Sequence, residues 1–134
     1  MGTTITIDTE AVQRLIKERG IEGFFAEPKQ AASLLRAMKA GRTGAKGVSN
    51  IASALNIEPS VILGYHGQLN TFQSLRLTRI EAGMTSAELS RKTGMFVNVL
   101  RQYEIDVLPG VIPAYKIAKA FNKSIEEVFF RTVK

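Results

Sequence analysis

Asn98, Arg101 and Gln102 are the side chains in this sequence best equipped to recognise another molecule. They lie in Val97–Ile105, where the apolar positions Leu100 and Tyr103 recur at helical rather than strand spacing. With those two turned inward, Phe96, Val97, Asn98, Arg101 and Gln102 face outward. Asn and Gln can make paired hydrogen bonds to adenine, Arg can hold guanine or a phosphate, and Val97 or Val99 can meet a thymine methyl. Such a helix has the chemistry to read base edges in a duplex. Arg76, Arg79, Arg91 and Lys92 are candidate phosphate contacts. So are Thr85 and Ser86, which open the preceding helix where backbone N–H groups point outward.

Five short helices are predicted to hold these residues in place. The first follows a cap at Asn70 and carries Phe72, Leu75, Arg76, Arg79 and Ile80, and Gly83 closes it. The second follows Thr85 and carries Ala87, Leu89 and Ser90. The third is Val97–Ile105, the fourth Pro113–Phe121 and the fifth Ile125–Arg131. Capping-box spacing recurs at Asn70/Gln73, Thr85/Glu88 and Ser124/Glu127. Gly94 suits the sharp turn between the second and third helices, the pattern of a helix-turn-helix. Pro109 interrupts the chain, and Pro113 is suited to begin the fourth helix.

From Leu75 to Val128 the sequence resembles the Cro/CI-type, lambda-repressor-like DNA-binding family. The match is carried by Leu75, Arg79 and Gly83, by Thr85 to Leu89, and by Lys92 and Gly94. It continues through Leu100, Tyr103, Glu104 and Pro109 to Ile117–Phe121, Ser124, Glu127 and Val128. The resemblance implies a prokaryotic or phage transcriptional regulator, most often a repressor, that needs no cofactor. It also implies a Ser or Thr where Phe96 stands and more polar residues across Val97 to Val99. That departure leaves a second reading open, in which Phe96, Val97 and Val99 bind a protein, as in an antitoxin, anti-repressor or adaptor. In a third, Phe96 and Val99 simply pack on the second helix or the linker.

The amino-terminal half repeats this pattern loosely. A helix capped by Asp8 or Thr9 is predicted to run to Arg19, with Gly20 ending it. Pro28 opens another with Ala31, Leu34, Leu35 and Met38 on one side, and Phe24 and Phe25 before it need burial. Residues 40–47 form a Gly-rich loop that puts Arg42 and Lys46 within reach of phosphate. Val48–Leu55 and Pro59–Tyr65 complete the half, and Tyr65-His66-Gly67 marks the boundary. Ile51-Ala52 aligns with Ile117-Ala118, and Ala54-Leu55-Asn56 with Ala120-Phe121-Asn122. Three residues are lost around the second helix and turn. Residues 1–67 therefore read as a degenerate copy serving as scaffold or oligomerisation surface. The alternation at Ile5 and Ile7 is that of a short strand, paired with its copy in a second subunit, or of a frayed terminus.

Composition bounds the rest. The chain has 134 residues, no cysteine, one histidine and a net charge of +6. Residues 1–67 carry 8 Lys+Arg against 6 Asp+Glu, and residues 68–134 carry 10 against 6, so the excess favours the second half. A basic balance favours polyanions. Disulfides and thiolate metal sites are excluded. His66 has no evident partners, and Glu126 and Glu127 cannot face one another on a helix. Tyr103 and Tyr115 sit at core-type positions. The expectation is an all-α protein of two small lambda-repressor-like helix-turn-helix domains in tandem, 1–67 and 68–134. It is expected to be no enzyme, with no metal, cofactor or membrane span. Its expected partners are double-stranded DNA, a second copy in a homodimer and possibly a protein, in the cytoplasm at the nucleoid.

Overall fold

The computed structural model describes residues 5–19 and 36–133. By its internal contacts the chain divides into Met1–Gly64 and Tyr65–Lys134.

In the first unit, β1 (Ile5–Thr6) leads into α1 (Thr9–Arg19), followed by the described part of α2 (36–40), β2 (Arg42–Thr43), α3 (Ala45–Leu55) and α4 (Pro59–Leu63). The Asp8 carboxylate accepts from the Ala11 N–H at 3.1 Å and so caps α1. β1 pairs antiparallel with β2 of the same chain, Ile5 opposite Thr43, and Ile5 and Ile7 are buried. This intrachain ribbon replaces both the intersubunit strand and the frayed end expected from sequence. It also takes Arg42 out of the expected loop, while Lys46 lies in the first turn of α3, which begins three residues earlier than predicted. Val12, Val48, Ile51, Ala52, Leu55 and Ile62 supply the core. The predicted helix opened by Pro28, apart from its end at 36–40, and the pair Phe24 and Phe25 lie outside the described residues.

The second unit runs β3 (Gly67–Gln68), α5 (Thr71–Glu81), α6 (Ser86–Thr93), α7 (Val97–Tyr103), α8 (Val111–Ala120), α9 (Ile125–Phe129) and β4 (Thr132–Val133). β3 pairs antiparallel with β4, Gly67 opposite Val133. A boundary after Gly67 would cut this ribbon, and the unit instead begins at Tyr65. The two ribbons qualify the all-α expectation, although helices dominate both units. No helix among the described residues is long and apolar enough to cross a membrane.

All three expected capping boxes form, at Asn70/Gln73, Thr85/Glu88 and Ser124/Glu127. In the last, hydrogen bonds from the Ser124 backbone and hydroxyl hold the Glu127 carboxyl below its usual range. α8 starts two residues before Pro113, which sits within its first turn where N–H groups lack helical partners and a proline costs little.

Leu75, Leu89, Leu100, Tyr103, Ile117, Ala118, Val128 and Phe129 form one core, with Met84, Met95 and Phe121 packed against it. Beside it, α5 and α9 are joined by buried polar groups. The Ser74 hydroxyl donates to the Val128 carbonyl at 2.7 Å and accepts from the Arg131 N–H at 3.2 Å. Thr78 donates to the Ser74 carbonyl at 2.9 Å. Replacing Ser74 by Ala deprives a buried carbonyl of its donor, so Ser74→Ala is expected to cost about 1–3 kcal/mol in chemical denaturation.

Candidate nucleic-acid interface

The interface is built on α6, a tight turn and α7. α6 ends at Gly94, whose φ of 72° would strain any side chain, and its N–H returns to the Ser90 carbonyl. Thr93 then donates to the Leu89 carbonyl at 2.9 Å and accepts from the Met95 N–H at 3.2 Å, while the Ser90 hydroxyl donates to the Met95 carbonyl. Short polar side chains thereby fix the angle at which the chain enters α7. Leu100 and Tyr103 are buried in the core and pin α7 from one side.

The expected base readers divide by exposure. Asn98 and Gln102 are exposed and, four residues apart, share one face of α7. Phe96 stands at the cap position and is 82% exposed, so it does not pack on α6 or the linker. Val99 is 37% exposed, and Val97 and Arg101 are half-buried. α7 is shorter than the predicted Val97–Ile105 because the N–H groups of Ile105, Asp106 and Val107 all turn back to the Gln102 carbonyl.

The expected phosphate contacts separate more sharply. Arg91 and Lys92 are exposed in the last turn of α6. Thr85 uses its hydroxyl to cap α6, and Ser86 is buried at the first position. Arg79 requires correction. It is 3% exposed, its Nε and Nη2 donate to the two Glu104 carboxylate oxygens at 2.6 and 2.9 Å, and its Nη1 donates to the Met84 carbonyl at 3.0 Å. Arg76, half-buried, donates from Nε to Glu104 Oε1 at 3.2 Å and from Nη2 to the Glu104 carbonyl at 3.4 Å. Both arginines serve the fold. Sequence analysis placed Glu104 only within the family pattern, yet it is the acceptor that joins α5 to the end of α7. Two arginines one turn apart on α5, with an acid directly after a core tyrosine, were the available signal. Tyr115, expected in the core, is 57% exposed. No group of three His, Cys, Asp or Glu that could hold a metal occurs among the described residues.

Tyr65 extends the network, since Arg76 hydrogen-bonds its phenol. Burial pushes the Tyr65 pKa up, against the lowering effect of Arg76.

Residues 75–128 match the family model described as helix-turn-helix. That stretch spans α6, α7 and the core that supports them, and it is a helix-turn-helix domain of the Cro/CI type. No curated protein and no solved structure matches the chain.

Two outcomes follow. Glu104→Ala leaves a buried guanidinium without its counter-charge, and the expected loss is about 3–5 kcal/mol by denaturant titration. Tyr65, with its folded pKa raised, contributes its full stability below the ordinary phenol value near pH ~10 and loses it as pH rises toward the folded value. Tyr65→Phe should therefore flatten the alkaline fall in stability measured by circular dichroism.

Proposed function

We propose that the second unit binds double-stranded DNA with α7 in the major groove, as a sequence-specific transcriptional regulator acting by repression. Asn98 and Gln102 take adenine edges, Arg101 takes guanine or a phosphate, and Phe96 and Val97 meet thymine methyl groups. Arg91 and Lys92 take phosphates, with the start of α6 at Thr85 and Ser86 beside the backbone. Arg76 and Arg79 are left out of this set because Glu104 occupies them. The protein works as a homodimer whose two readers meet half-sites about one helical turn apart, at the nucleoid in the cytoplasm. Residues 1–64 act as a scaffold derived from the same domain.

The observation that carries this reading is the one-sided anchoring of α7. Leu100 and Tyr103 are buried, while Asn98 and Gln102 are exposed on a helix that follows the exposed cations Arg91 and Lys92. The scaffold reading has its own support. Asn56 and Asn122 align in the repeat, and both are left-handed, with φ of 55° and 58°. Each donates to the carbonyl three residues back, and the residue after each donates to the aligned Ala52 or Ala118.

A second reading, docking of a protein partner through Phe96, Val97 and Val99, draws on the 82% exposure of Phe96. Binding to random duplexes across a salt series separates the two. DNA binding predicts affinity falling steeply with salt. Arg101→Ala should erode sequence preference by about 1–3 kcal/mol, whereas Lys92→Ala should weaken all duplexes alike and reduce the salt slope by about 1. Absent or salt-insensitive binding would favour the protein partner.

A further inference from the structure

Six apolar side chains that follow α7 face solvent. Ile105, Val107 and Leu108 come from the turn after the helix, and Val111, Ile112 and Tyr115 from the first turns of α8. Their exposures run from 41% at Val107 to 78% at Val111. The turn is well defined. Three consecutive N–H groups, from Ile105 to Val107, converge on the Gln102 carbonyl at 3.0 Å each, and Gly110 then caps α8. On α8, Val111, Ile112 and Tyr115 share the side opposite Ala114, Ile117 and Ala118, which are in the core.

At these exposures the six present on the order of 600 Å², at the top of the ~300–600 Å² usual for the largest apolar patch on a monomer. That is also close to the ~800 Å² that each partner gives to a standard interface. The patch carries one charge of each sign. Asp106 and Lys116 are both exposed, and neither has an ion-pair partner among the described residues. DNA would be repelled by Asp106 and would gain little from the aliphatic groups. A two-fold contact, by contrast, brings residue i onto j and j onto i, so a surface holding one acid and one base can satisfy itself.

We propose that this surface seats a second copy of the chain, with Leu108, Val111 and Ile112 of both copies at its centre and Asp106 of each facing Lys116 of the other. The proposal rests on the DNA-binding reading only for its consequence. The patch begins two residues beyond Tyr103, so a two-fold axis through it brings both reader helices to one side of the dimer. Half-site spacing would then be set by the chain between α7 and α8.

Sedimentation equilibrium of the full chain from ~1 to ~100 µM tests it. The wild type should reach twice the 14.7 kDa chain mass. Leu108→Glu with Ile112→Glu should raise the dimer Kd at least ~100-fold by burying unpaired carboxylates, with the circular dichroism spectrum and melting unchanged. Asp106→Lys should weaken the dimer, and adding Lys116→Asp should restore it to within ~3-fold. That reciprocal rescue occurs only if the partner is the same chain.

A wild type that stays monomeric overturns the proposal, as does a dimer indifferent to the Leu108/Ile112 change or a charge reversal without rescue. A salt-dependent duplex-binding assay on the same samples keeps the two readings apart. Monomeric wild type that binds DNA sinks the interface alone, and a dimer that binds no duplex sinks the DNA reading alone.

Discussion

The carboxylate of Glu104 is the point on which the geometry of the second unit depends. It is buried, it receives three charge-assisted hydrogen bonds from two arginines, and it sits directly after α7. A seven-residue helix has little stability of its own, because isolated helices below about 12–15 residues are marginal in water. α7 is helical because Leu100 and Tyr103 anchor its inner side and Glu104 fastens its end to α5. Removing charges from water is costly, and the planar two-point fit of Arg79 to Glu104 offsets that cost only in one geometry. The arrangement fixes where α7 lies more than it adds to stability.

The remaining restraint on α7 comes from its other end. Gly94 turns the chain, and Ser90 and Thr93 satisfy the backbone groups left open by the turn. Both ends of the reader are thus set by groups that face inward, which leaves the outward residues free of structural duty. Phe96 can stand at the cap position, where a hydrogen-bonding residue is usual, because that work is done by neighbours. The cost is an uncapped first turn, with no side-chain hydrogen bond from Phe96.

Most of the second unit was legible because its signals are local. Capping pairs three residues apart, glycines at helix ends and apolar spacing of 3.6 act within one or two turns, and they located five helices to within a few residues. What stayed hidden depends on distant partners. Arg79 and Arg91 are the same residue type on neighbouring helices, and no local pattern says that one meets Glu104 across a core while the other meets water. Tyr115 read as core because it shares helical spacing with Ile112 and Ala118, but α8 buries the opposite side. The pairing of Ile5 with Thr43 joins residues far apart in sequence, each in a strand of two residues, too short for alternation to announce. The aligned left-handed asparagines are an intermediate case. Their equivalence was readable from the repeat, and their shared conformation was not.

The ribbon of Gly67–Gln68 with Thr132–Val133, continued by the Leu69 N–H to the Arg131 carbonyl at 2.9 Å, closes the second unit like a clasp. Its entry and exit strands run side by side in opposite directions, so tension on either flank loads a few hydrogen bonds one after another. The clasp would part before the core felt any force, and α9, held to α5 through Ser74 and Thr78, would yield next. Neighbouring segments on the two flanks emerge from a single point on the surface, which makes the unit a compact bead that can be spliced into a longer thread with little disturbance to its interior.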